Sequence, residues 1–282
     1  MKTKQSVTNS IMAAMGLLST LLPVSQSAYA QGDTGKDFVP PVVFQAAGAN
    51  ADSILGAVNA FRAALGGVNN LNNPGPIMTG RREINWDGGN PAIVATTPPV
   101  NPFDVFLNTR GSRFTTPATG PNTGLSQATP AGLAVLFNNP TYVNIFTTFS
   151  PSRLFTPVGS NITDGFFFVP GTAGATAAAV RGFGAVFTDV DQPDGSGPGK
   201  KLDRKASTLI EFFDRNGKLL SSSTIAPSAG DASLSFFGAL FSDARIAQVR
   251  IITDNAPGPN DDAKHDIVMM DDFIYGEPQA LH

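Results

Sequence analysis

The stretch VRGFGAVFTDVD, from Val180 to Asp191, constrains the fold of this chain more than any other. It is apolar and rich in β-formers for most of its length, which is typical of a strand buried inside a sheet. Because residues i and i+2 of a strand point to the same side, we expect Asp189 and Asp191 to share a face with Phe183 and Phe187. The pattern predicts a core strand whose end gathers carboxylates.

The remaining composition favours an all-β architecture. The 282 residues include 29 glycines, 22 prolines and 21 phenylalanines, which indicates many turns around an aromatic core. An Asp-Arg-Asn-Gly turn at 214–217 predicts a hairpin. We predict a mainly β fold, an antiparallel, jelly-roll-like β-sandwich, with strands at 103–107, 142–149, 165–169, 180–191, 208–213, 218–225, 234–241, 246–253 and 267–275.

The N-terminus has the pattern of a secretory signal peptide. Lys2 and Lys4 precede an apolar run from Ile11 to Val24, and Ala28-Tyr29-Ala30 offers a small-x-small cleavage site. We therefore expect residues 1–30 to be a signal peptide and the protein to be exported, to the periplasm or the extracellular space. Residues 31–50 read as an extended leader, and residues 51–282 as a single β-sandwich domain.

One helix is predicted at the start of that domain, over residues 51–66. Ile54, Leu55, Val58, Phe61 and Leu65 recur at helical spacing. Asp52 or Ser53 is the expected N-cap, and the Gly66-Gly67 pair is expected to end the helix. Its apolar stripe should pack on a sheet.

Charge and cysteine content narrow the function classes. The chain has 19 basic and 22 acidic residues, a net charge of −3, so no basic surface indicates nucleic-acid binding. It has no cysteine, which excludes disulfides and a lipidated N-terminal cysteine. No second apolar run reaches membrane length, so we expect no membrane span in the mature chain.

The densest polar-aromatic cluster is GRREINWDGG, residues 80–89, which holds the one tryptophan of the chain. Arg82, Trp86 and Asp87 are the candidate ligand-binding residues, with the indole stacking on a sugar. The alternative is structural: Trp86 fills the edge of the core beside an Arg–Glu pair.

The final predicted strand, IVMMDDFIY, places Asp271 and Asp272 on opposite faces, so one carboxylate must point inward. If this strand meets the end of 180–191, then Asp189 and Asp191 join it. Such a group requires a cation or arginines. A structural Ca²⁺ is the candidate cofactor, because calcium takes oxygen ligands and is abundant outside cells. The acidic loop at 260–262 could add ligands. The alternative is pairing with Arg181 or Arg250.

Support for catalysis is thin. A glycosidase needs two carboxylates at a suitable separation, and Glu83 with Glu211 or an aspartate would be the candidates. The two histidines, His265 and His282, do not form a metal-binding cluster, and no G-x-S-x-G motif is present. We therefore name no catalytic residue.

Three motifs carry a family resemblance. GRREINWDG at 80–88, GFGAVFTDVD at 182–191 with IEFFDRNG at 210–217, and MDDFIYGEP at 270–278 resemble a group of exported bacterial proteins without an assigned activity. The second and third motifs are also similar to extracellular domains of PEP-CTERM-sorted proteins. The sequence ends at His282 without such a sorting tail, so we do not expect sorting by that route. The resemblance implies an exported β-sandwich.

Together these features predict a non-catalytic binding or surface and matrix protein, with cell-surface or matrix carbohydrate as the expected partner. This step rests on analogy, because sandwich folds often serve as lectin-like modules. The alternatives are a secreted polysaccharide hydrolase with paired carboxylates and a structural matrix protein without a small ligand. Burial of Trp86, Tyr142 and Tyr275 would remove the predicted stacking platform.

Overall fold

A computed structural model describes residues 39–88, 90, 94–191, 208–253, 261 and 266–281. Two antiparallel sheets pack face to face, which confirms the predicted mainly β sandwich. The proposed signal peptide, residues 1–30, lies outside the described residues.

Within the described ranges each sheet has seven strands. The first sheet runs, in spatial order, β1 (Val42–Gly48), β11 (Leu234–Leu240), β8 (Gly182–Thr188), β13 (Met269–Gly276), β5 (Leu154–Val158) and β4 (Gly124–Ala128), with β2 (Arg81–Ile84) also paired to β13. The second runs β10 (Leu219–Thr224), β9 (Leu209–Phe213), β12 (Gln248–Ile252), β6 (Ile162–Phe168), β7 (Ala177–Ala179) and β14 (Gln279–Ala280), with β3 (Ser112–Thr115) also paired to β6.

The core lies between the sheets and is aromatic, as the composition predicts. In β8 every residue is buried, and Phe183 and Phe187 point into this core. Val186 points to the other side of the same sheet, where helix α1 (Ala51–Ala64) packs. The stretch that dominates the sequence is therefore a central strand covered on both faces, which explains why it is apolar almost without interruption.

Helix α1 confirms most of the predicted stripe, since Ile54, Val58 and Phe61 are buried against the first sheet, whereas Leu55 is exposed. Its N-cap is Asn50, whose side chain accepts the backbone N–H of Ser53 at 3.1 Å. The expectation of an Asp52 or Ser53 cap was therefore wrong by two or three residues. Both are inside the first turn.

Phe61 explains two glycines in the sheet beneath it. Gly184 and Gly238 are directly opposite each other on β8 and β11. A Cβ added at either position would lie within 3.0 Å of the Phe61 ring. Glycine at these two positions lets the helix approach the sheet closely.

Three local predictions were wrong. Residues 42–48, assigned to a leader, form β1, an edge strand paired with β11, so the domain begins before residue 51. Residues 103–107 do not form a strand and instead lead into α2 (Leu107–Arg110). Residues 142–149 begin with α4 (Tyr142–Ile145), which packs beside α3 (Pro130–Leu136). Tyr142, Ile145 and Phe146 are all buried, which is a helical spacing.

Candidate functional site

Trp86 is part of the core. It has no exposed surface, and its ring stacks on Phe155 with 3.9 Å between ring centroids. Phe114 and Phe273 meet the indole edge-on, and its Nε1 donates to the backbone carbonyl of Asp271 at 3.1 Å. Trp86 therefore fills the core, as the structural alternative predicts, and it cannot stack on a sugar.

Arg82 is also fully buried, in an ion pair with Glu277. Its Nε donates to Glu277 Oε2 at 2.6 Å and its Nη2 to Oε1 at 2.7 Å. Nη1 donates to the backbone carbonyl of Leu71 at 2.6 Å. This bidentate geometry fixes both charged groups, and Arg82 serves to hold β2 against the end of β13.

Asp87 orders the backbone before β5. Its Oδ1 accepts the N–H groups of Ser152 and Arg153, the latter at 2.9 Å. The structure therefore gives packing, ion-pair and loop-ordering roles to the three candidate ligand residues, and they do not form an exposed surface. Tyr142 and Tyr275 are fully buried as well, so the predicted stacking platform is absent at those positions.

The end of β8 departs from the predicted alternation. The strand ends at Thr188, and Asp189 adopts a left-handed conformation with φ of 66°. Aspartate populates this region more often than most residues do. The turn takes Asp189 out of the face shared by Phe183 and Phe187. Asp189 and Asp191 are both buried.

Asp189 meets two other acids, Asp261 and Asp266. Carboxylate oxygens of these three residues lie within 4.8 Å of one another, and we name them the aspartate cluster. Asp189 and Asp266 are buried and Asp261 is half-buried. The cluster forms because β13 pairs with β8, with Met269 opposite Thr188, so the residues before one strand lie beside those after the other.

Two neighbouring groups, the Ile267 N–H and the Tyr142 phenol, interact with carboxylates of the aspartate cluster. Ile267 N–H donates to Asp261 Oδ1 at 3.4 Å, which ties residue 261 to the start of β13. Burial raises the pKa of the Tyr142 phenol, and the charges of Asp261 and Asp189 raise it further. Asp261 belongs to the acidic loop considered from sequence, whereas Asp266 was missed.

Asp271 and Asp272 form a separate pair, so the predicted convergence of Asp189, Asp191, Asp271 and Asp272 does not occur. A register shift interrupts the pairing of β13 between Met270 and Phe273, and both intervening aspartates are buried. Asp271 Oδ2 accepts the N–H groups of Phe149 and Ser150 at 2.6 and 3.3 Å. Because this irregularity interrupts the two-residue alternation of the strand, both Asp271 and Asp272 are buried, rather than one of them.

Asp272 connects this pair to helix α1. Its Oδ1 accepts the Ser150 hydroxyl at 2.5 Å, and its Oδ2 lies 3.6 Å from Arg62 Nη2. Burial raises the pKa of Asp271 well above its ordinary value, and the Asp272 charge raises it further. Burial also raises the pKa of Asp272, against the lowering effect of the Ser150 hydroxyl and Arg62.

Replacing Asp271 by Asn tests this assignment. A raised pKa in the folded state contributes stability that is present below the unfolded value near 4 and is lost as pH rises through the folded value. We therefore expect Asp271→Asn to gain stability relative to wild type as pH increases from about 4 to 8. Urea unfolding across this range measures the difference. Asp271→Ala should show the same pH dependence but be about 1–3 kcal/mol less stable than Asp271→Asn at each pH, because it also removes the acceptor for two backbone N–H groups.

A flat difference between wild type and Asp271→Asn across that range would contradict the raised pKa.

The two arginines considered as partners for the acids have other roles. Arg250 binds Asp164 through two hydrogen bonds of 2.8 and 3.0 Å, and Arg181 donates to the carbonyl of Ala64.

Of the carboxylates considered for hydrolysis, Glu83 and Glu211 are not brought together, whereas Glu83 and Asp272 both contact Arg62. Glu83 is on β2 of the first sheet and binds Arg62 and Arg81, while Glu211 is on β9 of the second sheet. His265 and His282 lie outside the described residues.

The outer face of the second sheet carries partly exposed aromatic side chains. Phe166 and Phe213 are both directly opposite Gln248, on neighbouring strands, and Phe168 follows two residues after Phe166 on the same face. We name Phe166, Phe168, Phe213 and Gln248 the aromatic face. A hollow of about 220 Å³ lies beside it, lined by Phe166, Phe168 and Gln248 together with residues of β7 and of the 214–217 turn.

Polar groups accompany these rings. Gln248 Nε2 donates to Asp164 Oδ1 at 2.9 Å, and the Arg113 guanidinium lies 5.4 Å from the centre of the Phe168 ring. The first sheet differs, since two apolar clusters formed with α1 and with α3 and α4 pack on its strands. Sequence alternation could have indicated the aromatic face, because IEFF and FFF place phenylalanine on both sides of a strand.

A second depression lies beside β4, at the edge of the first sheet. It has a volume of about 420 Å³ and is lined by residues that include Gly88, Asn90, Thr96, Thr97, Gln127 and Arg153. We name it the polar cleft. Arg153 donates to the carbonyls of Gly88 and Asn90 at 2.9 and 2.6 Å, so these two residues and Arg153 form one wall.

Comparisons with known proteins do not assign this chain to a family. A scan against protein-family models found no match, and a search of curated proteins found none. A solved structure, the enzymatically active domain of tailspike protein 4 of bacteriophage CBA120, matches with a TM-score of 0.28 and 14% identity, over 68% of this chain and 23% of that one. This chain thus spans under a quarter of that structure. Among the described residues, no helix has the length and apolarity needed to cross a membrane.

Proposed function

We propose that this is an exported, non-catalytic carbohydrate-binding protein that holds its ligand on the aromatic face of the second sheet. The observation that carries the proposal is the juxtaposition of Phe166 and Phe168 with Gln248 around a hollow. Export is supported by the signal-peptide pattern of residues 1–30.

The chemistry of this face suits a sugar. Aromatic rings pack against the C–H faces of a pyranose, while amide and charged side chains bind its hydroxyl groups. Phe166 and Phe168 supply the rings, and Gln248 supplies amide hydrogen-bonding groups beside them. Asp214 Oδ1 is committed to the N–H groups of Asn216 and Lys218, so the turn at the end of the hollow is rigid.

We also propose a structural calcium ion in the aspartate cluster. Calcium binds oxygen ligands at about 2.3–2.6 Å, so two ligands on opposite sides of the ion stand roughly 5 Å apart. Oxygens within 4.8 Å of one another fit inside one such coordination sphere. The ion would offset the repulsion of Asp189, Asp261 and Asp266 and join β8 to β13. It has no part in the carbohydrate contacts, which are on the other sheet.

The double variant Phe166→Ala/Phe168→Ala tests the carbohydrate proposal. On a glycan array, the chain from Gln31 onward is expected to bind a subset of glycans, and the double variant should bind them at least about tenfold more weakly. The matched control is Val135→Ala, which truncates an exposed side chain (79%) on α3. The melting temperatures of the variants show whether they fold.

Unchanged binding by the double variant would remove the aromatic face as the site. A blank array with concentration-dependent self-association would favour the structural matrix protein. Release of reducing sugar from a polysaccharide panel would favour the hydrolase. Each result contradicts the proposed function in a different way.

A further inference from the structure

The polar cleft has two features that the fold does not explain. The first is Arg153, which is only 2% exposed. Its backbone N–H is bound by Asp87, and its guanidinium donates to two carbonyls. In the part of the chain that the structure describes, no carboxylate forms an ion pair with it. Arg153 is therefore a buried positive charge without an anionic partner, and such charges are costly unless paired.

The second feature is the amide of Gln127. Its Oε1 is buried, and no donor among the described residues reaches it. The backbone of Gln127 is fixed, since its carbonyl accepts the N–H of Thr96 at 3.0 Å. Buried acceptors are normally satisfied, so this oxygen is suited to accept a hydrogen bond from a ligand.

The geometry points to a ligand that combines a carboxylate with hydroxyl groups: we infer that the polar cleft binds a uronic-acid residue of an acidic polysaccharide. The carboxylate meets the Arg153 guanidinium, and a sugar hydroxyl donates to Gln127 Oε1. Thr96 and Thr97 line the same space with hydroxyl groups that can both donate and accept. The cleft volume of about 420 Å³ falls within the range of small-molecule sites.

This inference goes beyond the proposed function, because it concerns a different site. The polar cleft is at the β4 edge of the first sheet, and the aromatic face is on the outside of the second. It depends on a buried charge and an unsatisfied amide, whereas the aromatic face depends on partly exposed rings. One of the two sites can exist without the other.

The experiment is a calorimetric titration of the chain from Gln31 onward with a trimer of galacturonic acid. Its fully methyl-esterified form, which is neutral, and acetate are titrated in parallel. We expect the acidic trimer to bind at least about tenfold more tightly than the ester, because the neutral ester cannot form a charge-assisted hydrogen bond with Arg153. Acetate alone should bind far more weakly than the trimer, since it lacks the hydroxyl groups.

The variant Gln127→Leu tests whether the trimer binds in the polar cleft. It leaves Arg153 in place, whose guanidinium also binds the carbonyls of Gly88 and Asn90. We expect this variant to bind the acidic trimer about tenfold more weakly. Gln45→Leu is the matched control, since it makes the same change on β1, at the opposite edge of the first sheet from the polar cleft, and should leave trimer binding intact. Gln248→Leu tests separately whether the acidic sugar uses the aromatic face. If the ester binds as tightly as the acid, if Gln127→Leu binds like wild type, or if the acidic trimer does not bind, the inference is wrong. A loss confined to Gln248→Leu would place the acidic sugar on the aromatic face instead.

Discussion

Replacing Arg82 by Met is expected to lower the free energy of unfolding by about 3–5 kcal/mol, the largest effect of any single substitution considered. The reason is the partner that remains. Glu277 is almost fully buried, and in the variant it keeps only the Asn70 amide at 2.8 Å and the Ile77 N–H at 3.2 Å among its described donors. A buried carboxylate without its cation is far more costly than an absent ion pair.

Urea unfolding of the variant measures this loss, and a surface ion pair provides the control. Arg113 and Asp104 form the same kind of bidentate pair, but their side chains are 35% and 36% exposed. Arg113→Met should therefore cost only about 0–1 kcal/mol. The double variant Arg82→Met/Glu277→Met should recover part of the loss, since no charge is then left buried. Equal losses for the two single variants would contradict the assigned role of Arg82.

The Arg82–Glu277 ion pair is an example of a contact that the sequence does not predict. GRREINWDGG was recognised as a dense polar cluster, but the sequence does not reveal that the partner of Arg82 is almost two hundred positions later. A ligand-binding role and a structural role use the same residue types. Long-range strand pairing decided between them, because β2 pairs with β13 and places Tyr275 opposite Arg82.

Local patterns were more informative. The sequence predicts both the helical stripe through Ile54, Val58 and Phe61 and the apolar run of β8, because each pattern is contained within a single element. The segment at Tyr142 was assigned to a strand because aromatic and β-branched residues favour strands. Its burial at 142, 145 and 146 has a helical period, which a composition argument overlooks.

The candidate metal site was predicted in part, for a related reason. The sequence places carboxylates at the end of β8, and Asp189 is indeed a member of the aspartate cluster. It does not reveal the left-handed turn at Asp189 or the register that brings Asp266 alongside. The irregularity in β13 that draws both Asp271 and Asp272 inside is likewise invisible to a strict two-residue alternation.

Calcium is expected to raise the melting temperature of the protein by about 5–10 °C relative to EDTA. At a free concentration one hundred times the dissociation constant, a ligand specific for the folded state contributes about 2.7 kcal/mol. For a domain of this size each kcal/mol corresponds to about 2–4 °C. Differential scanning fluorimetry in EDTA and in millimolar calcium measures the shift. Magnesium should give a smaller shift, because it holds its water ligands and requires stricter geometry.

The variant Asp189→Asn tests whether Asp189 is a ligand of the proposed calcium ion. Asparagine tolerates the left-handed backbone at this position, so the substitution removes the charge without straining the turn. We expect the variant to lose most of the calcium response, because a neutral amide oxygen replaces one of the three charged carboxylate ligands. The matched control is Asp191→Asn, which removes a buried acid at the same end of β8 but outside the aspartate cluster.

The comparison of these two variants separates a bound ion from a general effect of charge. If calcium only screened the acidic residues around β8, both substitutions would reduce the thermal shift by similar amounts, because each removes one negative charge. A coordinated ion depends on Asp189 and not on Asp191. A wild-type melting temperature that is the same in EDTA and in calcium would leave the aspartate cluster without its proposed cation.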